Sequence, residues 1–399
     1  MEYLILVICF FSFLLGYKKD KRIYSPACIF NFIWIMTLSL YLLRISILQQ
    51  ELLYRTKYLF LLNVLGFNIT YFIVSLFKSK NITVNKRKKL KLNFSRMKAA
   101  KFLVVAIFFL EIVYSGGVPL LWKIMGSSKY YVDFGIPSLH GAFCGLVVIL
   151  GTYSLYKKEK DLFLYIAIGI LIISRQIIIS IVIEAIIFDL FMSNKKKINI
   201  KKFIVLGAIG VVLFGFVGNF RSGGDTMNNL FKPQPQYEKL PDSIKWVYSY
   251  ITFSISNFNN LVSMTDGNIN HGSSSLESLI PTALLNVINI KANYNPYYLI
   301  SINFNTSTSF PEIYLDFGTV GMLVYGILLA LFGNYLYKKM QFKKTNATVL
   351  NYSVYIHNVI LMFYINMFLY LPIVIQLLYS SIIFNGDEEN ENQHSCTSI

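Results

Sequence analysis

The chain has 399 residues, 55 % of them drawn from AVILMFWYC and 14 % charged, and its 37 Lys+Arg against 20 Asp+Glu give a net charge of +17. A soluble domain carries roughly 25 % charged residues, so the composition excludes a soluble enzyme, a nucleic-acid-binding module and a disulfide-built secreted domain. The basic residues sit in short clusters between apolar runs, the pattern that orients a membrane protein.

In chain order, apolar runs cover 2–17, 26–48, 58–77, 102–116, 138–156, 162–174, 177–192, 203–219, 310–336, 349–367 and 369–385. They predict an all-α polytopic integral membrane protein with about eleven transmembrane helices. The first run is expected as a retained helix rather than a signal peptide: Glu2 stands where a basic leader should be, and Lys18, Lys19, Lys21 and Arg22 follow the run. If that cluster is cytoplasmic, 26 of the 37 Lys+Arg fall in inner segments, every one a short loop. The N-terminus is then outside and the C-terminus inside. Residues 1–219 make spans one to eight with an outer loop at 117–137, residues 310–385 make spans nine to eleven, and the acidic 386–399 is a disordered cytoplasmic tail. The last pair of runs is the weak point: 349–385 also suits one tilted helix and one re-entrant piece.

The remaining segment, 220–309, is a large extracytoplasmic loop. Its aromatic stretches, Trp246 to Met264 and Leu276 to Ile290, are expected as short amphipathic helices lying in the interface. Folded mass outside the membrane therefore gathers on the outer face, and the chemistry is sought there.

Arg221 directly follows an apolar run in GNFRSGGD, where Gly223 and Gly224 let the backbone turn and present its N–H groups to an anion. Arg175, in ISRQ, interrupts two apolar runs on the outer side, and Arg44 ends the second span. Guanidinium forks at headgroup depth match the oxygens of a diphosphate. His140, opening the fifth span, is the first candidate for a general base, with Glu312 and Asp316 next; those two carboxylates are four residues apart and share a helix face. Tyr131 and Asp133 in the outer loop pair a ring with a carboxylate, as sugar recognition requires. Glu111 and Glu184 fall inside spans, where an unpaired carboxylate is costly, so each is expected to be protonated or paired. His357 is expected to be structural. The four cysteines suggest neither disulfide nor zinc, and no HExxH or nucleotide-binding glycine motif occurs, so neither metal nor cofactor is expected. The Gly141–Gly145 pair and the glycines of 207–218 allow close helix approach.

These segments resemble a known family, the bacterial oligosaccharide repeat-unit polymerases, also called O-antigen or Wzy-type polymerases. The likeness is carried by EIVYSGGVPLL at 111–121, YYVDFGIPSLHG at 130–141, ISRQ at 173–176, GNFRSGGD at 218–225 and FPEIYLDFGTVG at 310–321. It implies a helical bundle similar to the GT-C transferases of lipid-linked sugars. The implied reaction moves a growing glycan from its polyprenyl-diphosphate carrier onto a lipid-linked repeat unit at the outer face of the bacterial cytoplasmic (inner) membrane. Implied partners are polyprenyl-diphosphate-linked oligosaccharides, membrane lipid, a flippase and a chain-length regulator. Arg221 and Arg175 match positions the family is taken to use for diphosphate or sugar acids. The family's spacing of an arginine, ten residues and a glycine is missing: Arg221 leads to Lys232 and Arg175 to Ile186. An O-antigen ligase, a flippase or transporter, and a scaffold for glycan assembly stay open beside the polymerase.

Overall fold

A computed structural model describes residues 1–76, 94–192, 226–281, 284–285, 287 and 298–384. Among the described residues the regular structure is helical, with one isolated bridge between Ser46 and Pro233. The principal helices are α1 (Glu2–Asp20), α2 (Pro26–Leu42), α3 (Tyr54–Leu76), α4 (Phe94–Ser115), α5 (Pro119–Ile124), α6 (Leu139–Lys157), α7 (Leu162–Leu171), α8 (Arg175–Met192), α9 (Met227–Phe231), α10 (Asp242–Met264), α11 (Ser273–Leu279), α12 (Pro311–Phe342), α13 (Asn346–Ile360) and α14 (Leu371–Ile383).

Four stretches are long and apolar enough to cross a membrane: Tyr54–Leu76, Ser95–Ile124, Leu139–Lys157 and Pro311–Phe342. Pro26–Leu42, Leu162–Leu171 and Leu371–Ile383 are apolar but shorter. At 1.5 Å per residue a ten-residue helix such as α7 rises only about 15 Å, half a hydrocarbon core. Large apolar side chains stay exposed along these helices, including Phe11 on α1, Phe102 and Val113 on α4, and Val320 on α12. Such faces need lipid rather than water beside them. The eighth expected span, 203–219, lies outside the described residues.

The sequence sets the helix starts locally. Ser25 accepts from the Cys28 N–H at 3.4 Å and Pro26 takes the first helical position, so α2 begins where its first turn lacks backbone partners. Thr345 and Thr348 cap α13 reciprocally. The ends depart from the hydropathy. The run 26–48 stops being helical at Leu42, because Arg44 adopts φ 47° and Tyr41 turns its hydroxyl to the Gln50 carbonyl at 2.7 Å. The run 349–367 breaks at Ile360, and residues 361–370 form two short 3-10 turns. That segment is held by the Ser309 N–H on the Met362 carbonyl at 2.8 Å and by Asn366 on the Ser309 carbonyl at 3.0 Å.

Contacts between helix ends sort the bundle into two ends. At one, Lys57 of α3 pairs with Glu2 of α1 at 2.8 Å. At the other, Tyr71 of α3 reaches Asp20 of α1, Lys338 of α12 reaches the Val74 carbonyl at 3.2 Å, and Lys101 of α4 pairs with Glu159 at 2.9 Å. α1, α3 and α12 thus run parallel to one another, and α4 runs antiparallel to α6.

Between helices, packing uses small residues and amides, as expected where lipid offers no hydrophobic drive. Gly326 of α12 lies so close to α3 that a Cβ there would stand 2.3 Å from the Asn63 carbonyl oxygen. Asn31 and Asn68 exchange amide hydrogen bonds at 2.8 and 3.0 Å, joining α2 to α3. Gly145 packs on Pro372 and Ile375 of α14, so the predicted Gly141–Gly145 face is a contact face; the 207–218 glycines lie outside the described residues.

The structure corrects the expectation of a short interfacial helix at Trp246–Met264, while part of 276–290 lies outside the described residues. α10 is 23 residues long and buried on several sides, packing on α2 and α3. Its Asn257 carries the 300–306 backbone, donating to the Phe304 and Thr306 carbonyls at 2.7 Å each and accepting from the Ile300 N–H at 2.8 Å. Trp246, Tyr248 and Phe253 of α10 form a second core with Ile45, Phe231 and Phe304. This segment is part of the folded body, not a surface film.

Candidate functional site

α6, α8 and α14 line a small, half-open cleft of about 20 Å³, the room of a single water. Its polar lining comes from Cys144 of α6, from Ser174, Gln176 and Ser180 at the start of α8, and from Tyr370 before α14. Two hydrogen-bonded chains of the same design end in this wall.

The first chain starts at Glu111, fully buried on α4. Its Oε2 lies 3.0 Å from His140 Nδ1, and His140 Nε2 lies 3.4 Å from Cys144 Sγ. A carboxylate against Nδ1 holds that nitrogen's proton, which leaves Nε2 as the basic nitrogen facing the thiol and the cleft. His140 and Cys144 are one turn apart on α6, so helix geometry alone brings them together. The outer loop fixes the ring from above. Phe134 meets it edge-on at 5.7 Å, and Gly135, at φ 102°, lies so close that a Cβ would stand 2.6 Å from His140 Cγ. The Gly135 N–H is held in turn by Ser115 Oγ at 2.9 Å.

The second chain is deeper. Glu184 Oε1 lies 2.8 Å from His357 Nδ1, and Ser180 Oγ lies 3.4 Å from His357 Nε2, with all three residues buried. Ser180 and Glu184 are again one turn apart. Each chain therefore places carboxylate, imidazole and a thiol or hydroxyl in sequence, the arrangement that prepares a base or a nucleophile. Both carboxylates are paired, one of the two states expected for them. His357, expected to be merely structural, is the centre of the second chain.

The other predicted residues are distributed as follows. Arg175 opens α8 between Ser174 and Gln176, both of which line the cleft, so it stands at the same end as His140. Arg221, Gly223 and Gly224 lie outside the described residues. Arg44 is bound to Glu51 at 2.9 Å on the surface. That hydrogen bond holds the Glu51 carboxyl below its ordinary range and raises Arg44. Tyr131 is exposed, and Asp133 accepts the Tyr130 N–H at 2.8 Å, capping its own short turn in the loop that covers His140. Asp316 is not available to orient a substrate hydroxyl. It is fully buried and accepts the N–H groups of Ser274 and Ser275 at 2.9 and 2.8 Å, capping α11. Glu312 lies one turn earlier, and its Oε2 is buried with no hydrogen-bond partner among the described residues. It neighbours Asn366, whose Oδ1 accepts from Tyr325 at 3.1 Å, while the next residue, Met367, meets Gln176 Nε2 at 3.4 Å. The 361–370 segment thus connects the Glu312 group to the cleft.

Among the described residues no group of His, Cys, Asp and Glu could hold a metal ion. Sequence reasoning overlooked Cys144, which it weighed only for disulfide or zinc spacing; its i+4 relation to His140 was the available signal. Comparison with protein-family models, curated proteins and solved structures gives no match for this chain.

Proposed function

We propose that the protein is a metal-independent glycosyltransferase of the repeat-unit polymerase type. It would transfer a growing glycan from a polyprenyl-diphosphate carrier to a hydroxyl of a lipid-linked repeat unit at the outer face of a bacterial cytoplasmic membrane. One observation carries this reading: His140 is oriented by a buried carboxylate and covered by the Phe134 loop, and Cys144, one turn on, lines a cleft whose other wall holds Ser174 and Gln176 on either side of Arg175. About eleven spans, a GT-C-like bundle, an outer N-terminus and a cytoplasmic C-terminus belong to the same proposal.

In the proposed step, His140 Nε2 takes the acceptor hydroxyl's proton and the oxygen bonds to the anomeric carbon. The bond from that carbon to the diphosphate oxygen breaks, and the diphosphate leaves with the electron pair. Charge grows on the leaving group, so preorganised cations lower the barrier; losing one such group typically costs about 3–4 kcal/mol. Arg175 is one cation at this end, and the resemblance adds Arg221. Lysine in either place should rescue poorly, since an ammonium cannot fork to two oxygens. Turnover should survive EDTA.

A second reading has its own observation. The wholly buried Glu184–His357 pair inside the bundle is what a proton-coupled flippase or transporter would use. Deleting the gene and analysing surface glycan separates the readings. A single repeat unit on each acceptor supports the polymerase, unattached long polymer indicates a ligase, and intermediates stranded on the cytoplasmic face indicate a flippase.

A further inference from the structure

We propose that Glu111, His140 and Cys144 also form a thiol nucleophile site that takes an acyl group from an ester, a second activity of the cleft. It shares His140 with the reading above, but rests on the thiol, which glycan transfer does not use.

The geometry is that of an activated nucleophile. The sulfur sits 3.4 Å from the one ring nitrogen that Glu111 leaves basic, and Cys144 itself lines the cleft. The other cysteines among the described residues differ. Cys9 and Cys28 are buried without a neighbouring imidazole, and Cys28 gives its hydrogen to the Phe13 carbonyl at 3.7 Å. A thiol is nucleophilic as the thiolate, so proton transfer to a poised imidazole is what separates Cys144 from those two.

The rest of the cleft suits an ester rather than a bare anion. Its wall beside the sulfur is apolar, from Val148, Ile177 and Ile373, so an acyl chain admitted by parting of these side chains would meet carbon there. Opposite, the Gln176 amide donates only to the thioether of Met367, a weak acceptor, so it is the donor most cheaply redirected to a carbonyl oxygen. The Ser180 hydroxyl lines the same space. Nucleophile and oxyanion donor therefore line one cleft, and the base and its orienting carboxylate stand behind the sulfur.

The step balances without an oxidant or reductant. The thiol proton passes to His140 Nε2, and the thiolate adds to the ester carbonyl carbon. The carbon–oxygen bond to the leaving alcohol then breaks, and that oxygen takes the proton from His140, leaving a thioester on Cys144. A hydroxyl entering the cleft, deprotonated by His140, attacks the thioester and regenerates the thiol. The donor class is an oxygen ester of a short or lipid acyl chain, and the acceptor is an alcohol such as a sugar hydroxyl.

The test uses the full-length protein in detergent with p-nitrophenyl butyrate as probe, and it needs no glycan substrate, so its outcome is independent of polymerase activity. The expected result is a burst of about one nitrophenolate per protein, with the butyryl mass on the peptide containing Cys144. Cys144→Ala should abolish the burst, and His140→Gln should slow it by about 10²–10⁴-fold, the usual worth of a positioned general base. Glu111→Gln should slow it and Glu111→Asp restore part of the rate, which a purely structural role of Glu111 would not do. The variant with alanine at Cys9, Cys28 and Cys396 should keep the burst; peptide mapping of the wild type decides the matter if that variant does not fold. Equal release by wild type and Cys144→Ala, butyryl on residues other than Cys144, or a burst indifferent to His140→Gln would each overturn the proposal.

Discussion

The two buried carboxylates show how much a single pair can matter. Glu184 and His357 are both fully buried, and the nearest other donor to Glu184 is the Thr152 hydroxyl at 3.4 Å. His357→Ala would strand the carboxylate, and breaking a buried pair this way costs about 3–5 kcal/mol. Thermal unfolding in detergent should show that loss, and the double change Glu184→Leu with His357→Phe should recover most of it. A single variant as stable as wild type would mean that the carboxyl does not depend on the ring. Arg44 and Glu51 make the opposite case, an ion pair in water. Glu51 is depressed in the folded protein. Its contribution is therefore complete above the ordinary carboxylate value of about 4.3 and is lost as pH falls through the folded value. Melting profiles of wild type and Glu51→Gln should run parallel from pH 8 to 5 and converge only below about pH 4. A difference that vanished near neutrality would contradict this. The sequence made both in-span carboxylates conspicuous as expensive residues, but not their partners. Glu184 finds His357 across 173 positions and Glu111 finds His140 across 29, and only the fold brings such residues together. Cys144 was within reach, being one turn from His140.

Among the elements, hydropathy located most of the helices and misplaced their ends where polar anchoring overrides it. The break at 361–370 is as apolar as the helix before it. Its non-helical course follows from Asn366 and the Ser309 N–H holding it to the segment before α12, partners that no periodicity displays. α10 misled for a related reason. Its aromatic residues suggest an interfacial helix, yet its Asn257 and Asn259 are buried and carry the backbone of 300–306 and the Leu53 N–H at 2.9 Å. The α3–α12 crossing gives a sharper expectation. A side chain at Gly326 must push against the α3 backbone, so Gly326→Ala should destabilise by about 1–3 kcal/mol, the range for overpacking a dense contact. Gly126, where an added Cβ meets nothing within 4 Å, is the steric control for melting measurements, although its φ of 67° carries its own smaller strain. Gly326 has no positive φ, so a Gly326→Ala variant as stable as wild type would contradict the close crossing.

For the molecule as a whole, the observations converge on one end of a helical bundle. The starts of α6, α8 and α14 meet there around the cleft, the loop before α6 covers His140, and both carboxylate–imidazole chains end in the cleft wall. Under the proposed topology this end is the outer face, where a polyprenyl diphosphate would present its headgroup. The helical, apolar-faced body was legible in the composition, because lipid leaves backbone groups no partner but the helix itself. The cleft was not, because its walls come from three separated helices. The most direct test reconstitutes the full chain in liposomes with a polyprenyl-diphosphate-linked oligosaccharide. Wild type should extend it into a ladder of repeats, and His140→Ala should slow the ladder by at least about a hundredfold, as loss of a general base does. A ladder formed at the wild-type rate by His140→Ala, or substrate carried across the bilayer by wild type with no ladder at all, would contradict the account.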